Sequence, residues 1–175
     1  MKLFYVLIFS LLLFIAVIVT NNSNDTKRIN YASLSKGEIN KFVEERNIEP
    51  LATENTQNES IILVDGGTYS LSKRSDNGEV VKRSTRWDGS QKEVQLGFRS
   101  TGSPYIYLIL EDETLIEQAY KVEVMFNDGT SVSKLVEDSR GFILFYDKKA
   151  KNLNIEDFEL NVYDEDENTL YETKG

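Results

Sequence analysis

The sequence predicts an all-β fold: an antiparallel β-sandwich, or open barrel, of about eight to ten short strands, preceded by one N-terminal transmembrane helix and a short amphipathic helix. Three observations predict it. From Ile61 onward the apolar residues recur at alternate positions instead of every third or fourth. Turn signals containing Gly, Asn and Asp interrupt these runs at strand-length intervals. Leu3 to Val19 is apolar throughout except for Ser10, and as a helix it would extend roughly 25 Å, close to the hydrocarbon thickness of a bilayer.

Residues 1–20 therefore read as a transmembrane anchor or a signal peptide. A signal peptide needs small side chains at its cleavage site, whereas Ile18-Val19-Thr20-Asn21 is poor in them. The anchor is the first reading and a cleaved, secreted chain the alternative. The positive-inside bias, with Lys2 before the helix and Asp25 as the nearest charge after it, places the N-terminus in the cytoplasm and the C-terminal domain outside.

Residues 21–60 read as a polar stalk carrying one short helix. Ser35 followed by Glu38 is a capping-box pattern. Ile39, Phe42 and Val43 follow at helical spacing, so the helix covers about 36–47 and stops before Pro50. Thr53 to Ser60 contains no apolar residue and reads as a linker, which places the start of the β domain at Ile61 and assigns it residues 61–175.

Within that domain Ile61–Asp65 is the first strand and Gly66-Gly67 a primed two-residue turn into Thr68–Lys73. Asp76-Asn77-Gly78 and Trp87-Asp88-Gly89 mark further turns, and Glu93–Phe98 alternates. Pro104–Leu110 is apolar on both faces and predicts a strand covered on both sides. Glu113–Ala119 suggests one helical turn. Tyr120–Val136 reads as a hairpin with a type I′ turn at Asp128-Gly129, which would set Met125 opposite Val132 and Glu123 opposite Lys134. Gly141–Tyr146 is a buried strand, and Phe158–Val162 and Thr169–Tyr171 pair across a turn at Asp164–Asn168.

Composition narrows the function. With no Cys and no His, nucleophilic triads, thiol redox chemistry and His-ligated zinc are excluded, and no phosphate-cradling glycine motif is present. Nothing singles out a catalytic pair among 29 acidic residues, so no enzyme, no catalytic residue and no cofactor are predicted; a carboxylate-dependent envelope hydrolase is the least favoured alternative. The net charge of −9 argues against nucleic acid as a partner. The absence of disulfides in an exported domain favours a bacterial envelope protein.

Two local features remain. Asp164, Asp166 and Asn168 have the spacing of the first half of a calcium loop, but Thr169 stands where Gly is needed, which makes them weak metal candidates. Between Thr68 and Ser100 cations outnumber anions, Lys82, Arg83 and Arg86 among them; Trp87 lies in a turn beside Arg86, and Tyr105 and Tyr107 share a face of one strand. Tyr and Trp beside Arg are characteristic of binding surfaces. These six form the candidate interaction surface, for a protein or an anionic envelope polymer. The function expected is a membrane-tethered extracytoplasmic binding module, with a secreted ligand-binding or inhibitor protein as the alternative.

Overall fold

The computed structural model describes residues 29–87, 93–146 and 158–173, and the apolar run Leu3–Val19 lies outside them. Among the described residues no helix is long and apolar enough to cross a membrane. The chain is mostly antiparallel β structure. Among the described residues twelve strands and two helices follow one another as β1 (Tyr31–Ala32), α1 (Lys36–Arg46), β2 (Pro50–Asn55), β3 (Ser60–Val64), β4 (Gly67–Arg74), β5 (Val80–Arg86), β6 (Val94–Arg99), β7 (Tyr105–Leu110), α2 (Glu113–Gln118), β8 (Lys121–Phe126), β9 (Ser131–Leu135), β10 (Gly141–Phe145), β11 (Phe158–Tyr163) and β12 (Thr169–Thr173).

The strands form three sheets. The first has the order β1-β4-β3-β2, with β5 on the other edge of β4; the second is β10-β7-β6; the third is β12-β11-β8-β9. The second sheet is covered on both faces, as the two-sided apolarity of Tyr105–Leu110 requires. Ile106, Leu108 and Leu110 pack with Val122, Val124, Leu160 and Val162 of the third sheet. Tyr105 and Ile109 point the other way, against Ile61 and Leu63 of the first. A third cluster joins Leu34 and Ile39 to Ile62 and Leu71, so α1 covers the outer face of the first sheet.

The expected linker at Thr53–Ser60 is corrected by β2, whose Thr53, Glu54 and Asn55 pair with Ile62, Ile61 and Ser60. Its polarity follows from its position at a sheet edge, where Glu54 reaches Lys134 of β9 in an ion pair instead of entering a core. The first sheet therefore begins at Tyr31, upstream of the expected start at Ile61. The two strands beyond the expected number are β1 and β2.

The hairpin between β8 and β9 is also corrected. Phe126 N–H donates to Thr130 O at 2.8 Å and Gly129 N–H to Phe126 O at 2.9 Å, so the loop has three residues, Asn127 to Gly129. Gly129 alone takes positive φ, +83°. Asp128 stays in ordinary φ space, where its Oδ1 accepts from Thr130 N at 3.0 Å and Thr130 Oγ1 at 2.6 Å. This is the type I turn plus left-handed glycine of a three-residue hairpin. One extra residue slides the register by one, so Met125 faces Ser131 and Glu123 faces Ser133. The first hairpin differs in another way, keeping a two-residue loop that lies one position earlier than expected. Its loop is Asp65-Gly66, with positive φ at Gly66 only, because Val64 pairs with Gly67.

Helix α1 has the full capping box, and the box also docks the helix. Glu38 accepts from Ser35 N at 2.9 Å and from Lys73 Nζ of β4 at 2.6 Å. The Lys73 hydrogen bond, helped by those from Ser35, holds the Glu38 carboxyl at about 2, against an ordinary value of 4.5. A depressed carboxylate contributes stability that is complete above pH 4.5 and is lost as pH falls towards 2. Glu38→Gln should accordingly melt below wild type at pH 7, with the gap in Tm closing as the pH is lowered through that window. A constant gap would show that the carboxylate charge does not secure the helix.

Candidate functional site

Strand β4 has two chemically distinct faces, set by its Thr-Tyr-Ser-Leu-Ser sequence. Tyr69 and Leu71 turn towards α1. Thr68, Ser70 and Ser72 fall on the opposite face, as the period of two requires. Across the ladder Thr68 pairs with Thr85, Ser70 with Arg83, and Ser72 with Val81 of β5. These positions floor a groove whose other wall is the 99–103 segment after β6. Two adjoining cavities of about 320 and 290 Å³ make up the groove, sharing Glu59, Ser70, Arg83 and Gly102.

The far wall is built on an ion pair. Arg99 NH1 donates to Glu59 Oε2 and Ser70 Oγ, both at 2.9 Å, while NH2 donates to Glu59 Oε1 and to Ser103 O. The guanidinium carbon lies 4.6 Å from the centre of the Tyr105 ring, and Nε is buried without an oxygen partner. Arg99 is thus neutralised and fixed in place. Arg83 is exposed and has no hydrogen bond or ion pair among the described residues. Counting Glu59, Arg83 and Arg99, the groove lining carries one net positive charge.

The six residues proposed for an interaction surface do not form one patch. Arg83 lines the groove and Tyr105 closes one end of it. Lys82 and Arg86 lie on the other face of β5, Lys82 with its Nζ 5.8 Å from the Tyr69 ring centre. Tyr105 is 3 % exposed. Tyr107 stacks on Trp87 at 4.5 Å with an interplanar angle of 14°, between the first and second sheets. Burial raises the Tyr107 phenol above its ordinary range, with a smaller contribution from Tyr105. Trp87 Nε1 donates to Gln95 Oε1 at 2.6 Å, Gln95 Nε2 to Glu111 at 2.8 Å, and Arg140 closes the chain on Glu111 at 2.6 Å. These aromatics are packed between sheets, with Trp87 and Tyr105 also hydrogen-bonded there.

The weak metal candidates form a self-contained turn. Asp164 Oδ1 accepts from the backbone N–H of Asp166 at 3.0 Å and of Asn168 at 2.8 Å, and Oδ2 accepts from Asn168 Nδ2 at 3.0 Å. These bonds, the Asn168 side chain first, lower the Asp164 pKa. Among the described residues no group of three or more acidic side chains is arranged to hold a metal ion. Thr68, Ser70, Ser72, Glu59 and Arg99 were not among the sequence candidates. Their signal is the run of hydroxyls at alternate positions of β4, opposite an apolar face.

Comparison with protein-family models, with curated proteins and with solved structures finds no match to this chain.

Proposed function

We propose that this chain is a membrane-tethered, extracytoplasmic β-sandwich module of the bacterial envelope that binds an anionic partner through β5. The observation that carries this reading is the charge of that strand. Lys82, Arg83 and Arg86 are exposed and have no carboxylate partner among the described residues, in a chain whose net charge is −9. Unpaired cations on an acidic protein attract anionic partners locally while the remaining surface repels them elsewhere, which orients the encounter. The sandwich description is supported by the apolar layer between the second and third sheets. The tether is supported by Leu3–Val19 and its poor cleavage site.

Retention of the full-length chain, in non-ionic detergent at pH 7, on a phosphate-bearing cation-exchange matrix tests the reading. The wild type should be retained at low salt despite its net negative charge, and the triple variant Lys82→Gln, Arg83→Gln, Arg86→Gln should pass through. Flow-through of the wild type would overturn it.

A further inference from the structure

The groove is more selective than a cationic strand alone. Ser70 is 8 % exposed and Thr68 3 %. Ser70 Oγ accepts from Arg99, and Thr68 Oγ1 accepts from Tyr105 Oη at 3.4 Å. A hydroxyl that accepts still has its own proton to donate, and neither proton has an acceptor among the described residues. Buried donors are almost always satisfied; here the open side is the groove. Ser72 and Thr85 add two more hydroxyls along the same floor, and Tyr31, 40 % exposed, stands at the end opposite Tyr105.

Charge density discriminates further. Among the described residues that line the groove, Arg83 is the one charge without a partner; it lines both cavities, and Ser70 is its cross-strand neighbour. An oxyanion held by the Arg83 fork is then within reach of the Ser70 hydroxyl. A second anionic group close by would find no free cation in the lining, because Arg99 is already neutralised by Glu59. The floor therefore suits anions spaced widely along a chain, separated by groups that exchange hydrogen bonds with hydroxyls. Combined, the cavities fall within the range of ligand sites, roughly 300–1,000 Å³.

We infer that the groove between β5 and the 99–103 segment binds a hydroxyl-rich polymer with widely spaced oxyanions, of the polyol-phosphate or polyuronate class. This rests on the anionic-partner reading above and assigns it a site and a ligand chemistry. Calorimetric titration of the full-length chain in non-ionic detergent against poly(glycerol phosphate), polygalacturonate and polyglutamate tests it, the last supplying charge without hydroxyls. At least one hydroxylated polymer should bind more tightly than polyglutamate, and which one binds identifies phosphate or uronate as the anion. Arg83→Gln should weaken that binding by about tenfold, as expected for losing a charge-assisted hydrogen bond. The double variant Ser72→Ala, Thr85→Val, which breaks no side-chain hydrogen bond among the described residues, should weaken the hydroxylated polymer several-fold and leave polyglutamate unchanged. Equal binding of all three polymers with a silent double variant would overturn the inference while the charge reading stood. Failure of every polymer to bind, together with flow-through on the phosphate matrix, would remove both.

Discussion

Gly97→Ala is expected to destabilise the domain by about 1–3 kcal/mol, the usual cost of forcing atoms into a packed interior, and Gly97→Val by more. Gly97 of β6 lies directly across the ladder from Tyr107 of β7. A Cβ on Gly97 would fall within the Tyr107 ring, against Cζ and Oη. The ring cannot simply move aside, because Trp87 is stacked on it and is itself tied to Gln95. Denaturant midpoints of Gly97→Ala, Tyr107→Ala and the double variant would measure the coupling. The double variant should recover most of what Gly97→Ala loses relative to its Tyr107→Ala background. A wild-type midpoint for Gly97→Ala would show that the aromatic stack yields freely.

Removing residues 1–60 is expected to abolish cooperative folding, while removing only residues 1–28 should preserve it. A chain starting at Ile61 lacks β1, α1 and β2. It exposes Ile62 and Leu71, both fully buried in the intact chain, and loses Leu34 and Ile39 from the same cluster. At about 1.5–3 kcal/mol per buried aliphatic side chain the loss is on the order of 6–12 kcal/mol, comparable to the whole stability of an average domain. It also removes Leu51, against which Gly141 of β10 packs so closely that a Cβ there would meet Leu51 Cβ at 2.5 Å. Thermal unfolding followed by near-ultraviolet circular dichroism would decide. A sharp, wild-type-like transition in the 61–175 fragment would refute this account of the first sheet.

The strands that face a core on one or both sides were legible in the sequence, because burial imposes period two or continuous apolarity: β3, β7, β10 and β11 lie where those patterns place them. The α1 cap was legible because Ser35 and Glu38 satisfy each other locally. Strand β2 was not, since an edge strand that pairs through its backbone and sends Glu54 to Lys134 needs no apolar alternation. The hairpin at Asp128-Gly129 was legible as a turn but not in register, because the sequence suits two- and three-residue loops alike, and the Asp128–Thr130 hydrogen bonds decide between them. The candidate surface was mixed. Arg83 lies on the groove, whereas Trp87 and Tyr107 are packed between sheets, a distinction that depends on which sheet covers which face.

With the chain tethered as proposed, the early start of the first sheet limits how far the domain can stand from the membrane. The proposed anchor would end near Val19, and the described chain begins at Ile29 beside β1, about ten residues later. Fully stretched they reach roughly 35 Å, against the several-fold longer reach of a stalk extending to residue 60. Tyr31 of β1, two residues after the described chain begins, also lines the groove, which places that end of the groove near the start of the described chain. In the tethered form proposed above, the groove samples only a thin shell of space next to the lipid surface. A polymer rooted in that membrane would be encountered at high effective concentration, and one confined to the outer layers of the envelope would lie beyond reach.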